Sequence, residues 1–339
     1  MIGVAVLGLG RIGRIHAANL AAHPGARLVR LFDPRAEAVT AVTERHGGRP
    51  AADAGEAIRD PAVDAVVIAT PTDTHLALLA EALAAGRRVF LEKPIDLDIR
   101  RVLDARRELG AATARVQMGF NRRFDRHFRA FRDALRGLGR LYRLRITSFD
   151  PAPPPVDYLR RSGGLFRDMT IHDFDMARFL LADAEPRFVT ARAAVRVDGS
   201  IAAVGDVDTA TVVLETAEGL PVVVENCRRA VHGYDQRLEA LGEEGLLQAG
   251  NPRPTTLRRA HARATAARDP LPPSFLERYA ESYRAELDAF LRACTEGREM
   301  EVGFDDGVRA QLLAEAAVVS LREERRVDVG ELARTLGSR

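Results

Sequence analysis

The first part of the chain alternates short apolar runs with segments whose apolar residues recur at helical spacing. Residues 2–7 form an apolar run of buried-strand length, glycines follow at positions 8, 10 and 13, and a helical pattern begins after them. The alternation continues and predicts strands at 2–7, 26–32, 63–69, 88–91 and 115–118, with helices at 35–46, 74–85 and 98–109. Strands and helices in this order favour a doubly wound parallel sheet of the Rossmann type, covered on both faces.

The pattern changes after Gly119. The next predicted elements are a helix, a strand and a helix, at 124–135, 141–149 and 171–181. Strand-like runs then follow without intervening helices, at 187–197, 207–215, 220–229, 235–242 and 245–248. Such runs, separated by Gly, Asp and Pro turns, are typical of a large, mainly antiparallel sheet with one open face. The sequence therefore predicts an α/β protein with an N-terminal Rossmann domain at 1–119 and a C-terminal α/β domain at 120–339.

The last part of the chain predicts a loop and two helices. Residues 251–273 are rich in Arg, Ala and Pro, and we expect them to form a mobile loop. Two helices follow in the prediction, one from a capping box at Ser274 and Glu277 to Arg292, and one capped by Asp305 or Asp306 and ending near Glu324.

Composition and charge narrow the function classes. Of 339 residues, 46% are hydrophobic and 29% charged, which is the balance of a globular protein and excludes a disordered chain. The net charge of +2 is too small to indicate nucleic acid or a membrane surface as partner. No apolar run could span a bilayer and no basic leader precedes the first strand, so we expect a cytoplasmic protein.

Cys227 and Cys294 lie far apart in sequence, which indicates inert thiols rather than a disulfide or metal site.

Lys93 is the only lysine among 50 basic residues; all the others are arginine. Arginine stays protonated in proteins, whereas a lysine amine can lose its proton when its surroundings lower its pKa. In a chain this poor in lysine, a retained lysine indicates chemistry that arginine cannot perform, such as proton transfer. The alternative is that one solvated surface lysine survived by chance.

A dinucleotide-binding turn is predicted between the first strand and its helix. Gly8, Gly10 and Gly13 match GxGxxG, where the first glycine allows the turn, the second admits the pyrophosphate and the third permits close packing of helix on strand. Asp33 ends the next strand and suits the ribose hydroxyls of NAD, while Arg35 leaves NADP possible. The alternative is a purely structural glycine turn in an α/β domain.

Polar side chains follow two further strands of the predicted parallel sheet. Ligands of doubly wound folds bind at the carboxyl ends of such strands. The candidate cofactor contacts there are Thr70, Thr72, His75, Glu92 and Lys93. The alternatives are a helix cap at Thr74 and a surface histidine at His75. Pro94 is expected to hold a rigid or cis turn after Lys93.

The densest polar segment of the second domain is 162–175. Asp168 and His172 are four residues apart, so on a helical turn their side chains face the same way and can form a hydrogen bond. A carboxylate paired with an imidazole raises its basicity, which suits removal of a hydroxyl proton near neutral pH. The alternatives are an amphipathic helix with a solvated histidine, and a metal site, which the single nitrogen ligand disfavours.

These segments together resemble the Gfo/Idh/MocA oxidoreductase family over nearly the whole chain, and more narrowly its inositol dehydrogenase branch. The resemblance rests on GLGRIG at 8–13, EKP at 92–94, GFNRRFD at 119–125, SGGLFRDMTIHDFDMARFL at 162–180 and GYDQR at 233–237. It implies NAD-dependent oxidation of myo-inositol to scyllo-inosose, in polyol catabolism. It also implies that the second domain binds substrate and forms a homo-oligomer, often a tetramer, through its open sheet.

The resemblance also implies residue roles. The family's catalytic positions fall on Lys93, Asp168 and His172, and the glycine turn adds Arg11 and Ile12 to the cofactor contacts. Further substrate positions fall on Asn121, Arg122, Asp150 and Tyr234. His172, oriented by Asp168, would take the hydroxyl proton, and Lys93 would stabilise the charge on the same oxygen; which of Lys93 and His172 is the primary base stays open. Phe149 stands where related sequences often have a polar residue.

Two other functions fit the same residues. A related dehydrogenase of sugars, nucleotide sugars or dihydrodiols would use the same fold and proton-transfer groups. A regulator that senses NAD(P) without turnover would keep the fold, but it has no need of Lys93, Asp168 and His172 together.

Overall fold

The computed structural model describes residues 1–337, which divide into two compact units. The first unit contains Met1–Phe124 and Glu281–Gln311, with Leu336 and Gly337. The second contains Asp125–Ala280 and Leu312–Thr335. Compactness therefore groups residues 281–311 with the N-terminal part of the chain, whereas the sequence division placed everything after residue 119 in the second domain. The functional division into cofactor and substrate domains stays a prediction.

The strands form two large sheets and one hairpin. They are β1 (Ile2–Leu7), β2 (Ala26–Phe32), β3 (Arg49–Pro50), β4 (Ala65–Ile68), β5 (Arg88–Leu91), β6 (Val116–Met118), β7 (Leu141–Phe149), β8 (Pro186–Ala194), β9 (Thr209–Thr216), β10 (Pro221–Cys227), β11 (Asp235–Gly242), β12 (Gly245–Ala249), β13 (Arg258–His261), β14 (Ala264–Arg268) and β15 (Val327–Asp328). The first unit contains a six-stranded sheet in the order β3-β2-β1-β4-β5-β6, and every neighbouring pair is parallel. The predicted Rossmann sheet is confirmed.

The helices cover these sheets and connect their strands. They are α1 (Arg11–Ala22), α2 (Ala36–His46), α3 (Ala54–Arg59), α4 (His75–Ala84), α5 (Ile99–Leu109), α6 (Arg126–Ala134), α7 (Val156–Ser162), α8 (Ile171–Leu181), α9 (Gly199–Ala202), α10 (Phe275–Arg278), α11 (Ala280–Glu296), α12 (Phe304–Glu323) and α13 (Val329–Gly337).

The core of the first unit follows from the apolar runs of its central strands. Every residue of β4 is buried, as parallel strands covered on both faces require. Val4, Val67 and Phe90 of neighbouring strands lie in one apolar cluster with Leu20 of α1. Leu287, Phe290 and Leu291 of α11 belong to the same cluster. The apolar core of the first unit is therefore completed by a helix from much later in the sequence.

The second unit contains a seven-stranded sheet in the order β12-β11-β7-β10-β9-β8-β15. Its neighbours are antiparallel except β7 and β10, which run parallel with Val222 opposite Leu144 and Cys227 opposite Phe149. Along β10 buried residues alternate with half-exposed ones, so the sheet has one covered and one open face. The predicted mainly antiparallel, open-faced sheet is confirmed, with this one parallel pair as an addition.

The structure corrects two predictions near the C-terminus. The expected mobile loop 251–273 contains the antiparallel hairpin β13–β14. The expected helix after Ser274 is interrupted at Tyr279, whose buried ring packs edge-to-face against Phe128 and Tyr234. The side chain of Ser274 does accept the Leu276 amide, as its capping role requires.

The start of the last long helix also differs in detail. Asp305 and Asp306 lie in the first turn of α12 rather than before it. Asp306 accepts the amide of Gly303 (2.9 Å), so it caps the helix from within, while Asp305 pairs with Arg106 (2.6 Å).

Candidate active site

The three glycines of the turn between β1 and α1 have different surroundings. A Cβ at Gly8, whose φ is +85°, would lie 2.6 Å from the Ala69 carbonyl oxygen, and one at Gly13 would lie 1.8 Å from the Gly8 oxygen. A Cβ at Gly10 would meet nothing within 4 Å. Packing therefore requires the first and third glycines, whereas Gly10 faces open space at the N-terminus of α1. A phosphate group fits that position, because it needs both free backbone amides and room.

Asp33 presents an ionised carboxylate beside this turn. It accepts the Leu9 amide (2.7 Å), the Arg35 amide (3.0 Å) and the Arg35 guanidinium (3.0 and 3.1 Å). Burial raises the pKa of Asp33, but the hydrogen bonds from Arg35 and Leu9 outweigh it and the pKa lies below its ordinary value. The carboxylate disfavours a 2′-phosphate at this place, and the half-exposed guanidinium beside it favours one.

His75 lies at the start of α4 but is 1% exposed. Its Nδ1 is 2.8 Å from the carbonyl oxygen of Pro94, and its Nε2 is 2.9 Å from that of Thr70. Both ring nitrogens are therefore occupied by backbone of the two loops that follow β4 and β5. This differs from the expected cofactor contact and equally from a surface histidine. Thr74 donates to the Pro71 carbonyl (2.7 Å) and provides no side-chain cap for α4.

The loop after β5 contains Glu92, Lys93 and Pro94, and the Lys93–Pro94 peptide bond is cis. Glu92 Oε1 lies 2.7 Å from Nε2 of the fully buried His16 on α1. Lys93 is half-buried. Two histidines thus hold the residues on either side of Lys93. His16 contacts the Glu92 carboxylate, and His75 contacts the Pro94 carbonyl oxygen. Sequence reasoning did not find His16, because its partner is distant in sequence.

Asn121 and Arg122 follow β6 in a short helical turn and are both buried. Within residues 1–337, the Asn121 Nδ2 atom has no hydrogen-bond partner. A buried amide donor without a partner costs free energy unless a ligand or water satisfies it. This suits the predicted substrate contact.

In the second unit, Phe166–Thr170 forms a π turn that leads directly into α8. Such turns occur frequently at functional sites. Tyr158 donates to Asp168 Oδ1 (2.7 Å), and the Arg228 guanidinium lies 3.4 and 3.5 Å from Asp168 Oδ2. The helical placement of Asp168 and His172 is as predicted. Their mutual hydrogen bond stays a prediction, and Arg228 and Tyr158 are partners that the local sequence spacing did not indicate.

A buried polar network fixes α8 to the parallel strand pair. The carboxylate of Asp173, which is fully buried, lies 2.5 Å from Ser148 Oγ and accepts Asn226 Nδ2 (2.7 Å). Thr170 donates to Asn226 Oδ1 (2.6 Å). Ser148 and Asn226 are register partners on β7 and β10. The residue next to His172 is therefore anchored at the carboxyl ends of both strands.

The same strand ends bring further predicted residues together. Phe149 on β7 lies opposite Cys227 of β10 and Asp235 of β11. One residue beyond these partners, the chain carries Asp150 and Tyr234 as well as Arg228. Tyr234 is buried, and its amide donates to the Pro272 carbonyl (3.0 Å). This end of the sheet thus concentrates polar side chains close to the π turn.

The described residues form neither a metal site nor a membrane-spanning helix. Among residues 1–337, no group of three or more His, Cys, Asp or Glu side chains is arranged to hold a metal ion. None of the helices in that range has the length and apolar character needed to cross a membrane. Cys227 and Cys294 are both free thiols, and burial raises the pKa of Cys294 to about 12.

Known proteins match this chain along nearly its whole length. A family model described as "Oxidoreductase family, NAD-binding Rossmann fold" (GFO/IDH/MocA) covers residues 2–120, and the GFO/IDH/MocA C-terminal domain covers residues 128–248. The chain is 45% identical to inositol 2-dehydrogenase of Rhizobium meliloti, covering 96% of this chain and 98% of the relative.

Two solved structures extend the comparison. A myo-inositol dehydrogenase from Corynebacterium glutamicum superposes with a TM-score of 0.93 at 42% identity, covering 97% of this chain and 98% of that one. A scyllo-inositol dehydrogenase from Lactobacillus casei, solved with bound NAD(H) and scyllo-inositol, gives a TM-score of 0.90 at 27% identity, covering 97% and 99%.

Proposed function

The chain belongs to the GFO/IDH/MocA oxidoreductase family, and on that premise we propose that it oxidises a ring hydroxyl of a cyclic polyol, with myo-inositol converted to scyllo-inosose. The observation that carries this proposal is the 45% identity to an inositol 2-dehydrogenase across nearly the full length of both proteins. The cofactor is NAD, in keeping with the NAD-binding Rossmann domain.

The residues around the first glycine turn suit this cofactor. The turn from Gly8 to Gly13, including Arg11 and Ile12, would hold the pyrophosphate, and Asp33 would accept the ribose hydroxyls. Thr70, Thr72 and Glu92 belong to the loops after β4 and β5 and are proposed as further contacts. When bound, NAD accepts a hydride from the alcohol carbon.

The chain's own residues handle the proton. His172 is proposed to accept the proton of the reacting hydroxyl, with Asp168 stabilising the charged imidazole. Lys93 is proposed to donate a hydrogen bond to the same oxygen and so stabilise its growing negative charge. Support comes from the ordered surroundings of each group: the π turn and buried network beside His172, and the two histidines that hold the Lys93 loop.

The other substrate positions suit a polyol, whose hydroxyls both donate and accept hydrogen bonds. Asn121 offers an amide donor that has no partner among the described residues. Arg122, Asp150 and Tyr234 add a guanidinium, a carboxylate and a phenol. Together they could satisfy several ring hydroxyls at once and thereby select one stereoisomer.

We further propose that the protein is a cytoplasmic homotetramer assembled through the open face of the seven-stranded sheet. That face carries ion pairs between neighbouring strands, including Arg145 with Glu225 (2.7 and 2.9 Å) and Arg143 with Glu239 (2.7 Å). Such a half-exposed surface of paired charges suits a symmetric contact between copies. Sedimentation equilibrium measures the assembly, and a monomer at micromolar concentration would contradict it.

The deciding experiment is a panel of initial rates followed by NADH absorbance. It uses myo-inositol, scyllo-inositol, chiro-inositol and glucose, each with NAD and with NADP. We expect the highest kcat/KM with myo-inositol and NAD, and weaker use of NADP through Arg35. A preference for glucose would transfer the assignment to a sugar dehydrogenase. No reduction of either cofactor with any of these compounds would favour a sensing regulator.

A further inference from the structure

Among the described residues, Arg228 has the largest fully buried side chain, and its exposure is only 1%. It directly follows β10 and precedes the exposed Arg229. A buried guanidinium is costly unless carboxylates and hydrogen bonds compensate the loss of water. The groups around the Arg228 guanidinium therefore indicate its role.

Two carboxylates share this single cation. The guanidinium lies 3.4 and 3.5 Å from Asp168 Oδ2, and its NH2 atom is 3.7 Å from Asp206 Oδ2. Asp206 Oδ1 accepts the amide of Leu165, the residue just before the π turn (2.8 Å). Within residues 1–337 the Arg228 Nε atom has no hydrogen-bond partner. The guanidinium is thus held mainly by charge, between the proposed catalytic carboxylate and the carboxylate that fixes its turn.

The two oxygens of Asp168 receive different partners. Tyr158 donates to Oδ1 at 2.7 Å, and Arg228 faces Oδ2. Partners on both oxygens fix the plane of a carboxylate as well as its charge. His172 follows four residues later on the same helical segment, so the orientation of the carboxylate bears on the proposed base.

We propose that Arg228 is a positioning residue that keeps Asp168 ionised and correctly oriented for its work on His172; this inference rests on the proposed function. The groups that bear on Asp168 include Tyr158 from α7, Asp206 after α9, Arg228 after β10 and His172 on α8. Arg228 carries the permanent positive charge among them. Without it, Asp168 and Asp206 would lose the guanidinium that faces both of them. Loss of the positive charge would raise the pH at which Asp168 ionises, because a nearby cation favours the carboxylate.

The test compares Arg228→Met, Arg228→Lys and the neighbouring control Arg229→Met through the pH dependence of kcat/KM. We expect the acid limb of Arg228→Met to move upward by about one pH unit or more, with at least a tenfold loss near neutral pH. Arg228→Lys keeps the charge and should retain the position of the limb while lowering kcat. Arg229→Met should match the wild type. The KM for NAD should not change in any variant.

A folded Arg228→Met enzyme with the wild-type kcat and pH profile would overturn the proposal. If that variant does not fold, Arg228→Met combined with Asp206→Asn removes the excess negative charge and should restore folding, and it should return the acid limb only part of the way because the attraction of the guanidinium is still missing. A double variant with both the wild-type kcat and the wild-type limb would also contradict the proposal, because Asp168 would then need no guanidinium.

The failure of the proposed function gives a different result, because the wild type would then reduce no NAD with any polyol. In that event, urea unfolding of Arg228→Met, Asp168→Asn and the double variant still tests whether the Arg228 and Asp168 side chains interact. We expect the combined loss of stability to be smaller than the sum of the single losses, since one removal leaves the other charge buried. Additive losses would show that the two side chains are not coupled.

Discussion

Lys93 differs from every other basic residue of the chain in what its side chain can do. A guanidinium remains charged at any pH an enzyme meets, whereas an amine can donate a proton and take it back. The loop that carries Lys93 is fixed at Glu92 by His16 and at Pro94 by His75. This degree of order around one amine supports the proton-handling role and argues against a chance surface lysine.

Replacing Lys93 with arginine should therefore remove catalysis while preserving the fold. We expect kcat to fall by about 10²- to 10⁴-fold, which is the usual contribution of a proton-transfer group. The KM for NAD and the melting temperature should stay near the wild-type values. The control is Arg136→Lys, an exposed position where the reverse exchange should change nothing. Turnover near the wild-type rate in Lys93→Arg would remove the special role of the amine.

Gly10 allows a test of the cofactor turn that leaves stability untouched. A Cβ there meets no atom within 4 Å, and the backbone φ of −70° is open to alanine. We expect Gly10→Ala to melt at the wild-type temperature when no cofactor is present. NAD at 100 times Kd should stabilise the wild type by about 2.7 kcal/mol and the variant by much less. Thermal unfolding with and without NAD measures both, with Gly137→Ala as control; an undiminished shift in Gly10→Ala would place the pyrophosphate elsewhere.

At the scale of elements, His75 links the loops that follow β4 and β5. The two strands are paired up to Ile68 and Leu91, and the ladder ends with the Glu92 amide donating to the Ile68 carbonyl (3.0 Å). Beyond that point the imidazole links the loops by contacting the Thr70 and Pro94 carbonyls. Burial lowers the pKa of His75, although both carbonyls favour the charged ring. The residue thus connects two elements, and its contact with the cofactor stays a prediction.

We expect His75→Phe to cost about 1–3 kcal/mol of stability, because it removes the N–H that the neutral ring donates to one of the two carbonyls in this buried place. It should lower kcat more than it raises the KM for NAD. Since the folded pKa of His75 is below its ordinary 6.5, its contribution is complete above that pH and is lost as the pH falls. Urea unfolding from pH 8 to 5 should therefore show a smaller difference between variant and wild type at low pH. The exposed His261→Phe is the control, and a constant difference across this range would contradict the prediction.

Elements with strong periodicity could be predicted closely from the sequence. The bounds of β2, β5, β7, β11 and α8 agree with the predicted ranges, because apolar residues run continuously or alternate in the strands and recur at helical spacing in α8. The hairpin β13–β14 was missed, since all residues of β13 are exposed and carry no apolar pattern. The helices α3 and α7 were missed because six and seven residues are too few to show a helical repeat of apolar positions.

The candidate site was predictable only where residue type and local spacing carry the chemistry. The glycine turn and Lys93 follow from such local patterns. The partners Arg228 and Asp168 are 60 positions apart, and His16 and Glu92 are 76 apart, so no local pattern connects them. His75 was assigned to the cofactor because its position in a loop does not reveal that its ring is buried. Contacts of this kind depend on tertiary structure.

At the scale of the whole molecule, the proposed machinery is distributed over two compact units. The cofactor turn and Lys93 belong to the first unit, and Asp168, His172 and Tyr234 belong to the second. The family models match each part separately, while the relatives match nearly the full length. The proposed reaction therefore requires the complete chain.

Both units contain carboxylates that should make global stability depend on pH. Burial raises the pKa of Asp33, Asp208 and Asp235, but their hydrogen bonds outweigh it and each pKa lies below 3.8. Their contribution is thus complete above 3.8 and is lost as the pH falls through the lowered values. Asp208 accepts the amides of residues 196, 197 and 198.

We expect Asp208→Asn to lose about 1–3 kcal/mol at pH 7, with the difference from the wild type shrinking toward pH 3. Urea unfolding at pH 7, 5, 4 and 3 measures this, with the exposed Asp183→Asn as control. A difference that grows toward acid would mean that the Asp208 carboxyl is not held as an anion.

The position of α11 in the sequence has a consequence for biosynthesis. Its residues Leu287, Phe290 and Leu291 complete a core whose strands all lie before residue 119. A ribosome releases those strands long before it releases the helix that covers them. The nascent chain therefore carries an uncovered apolar surface while Asp125–Ala280 of the second unit is translated, and chaperones that recognise such surfaces have a binding site for that time.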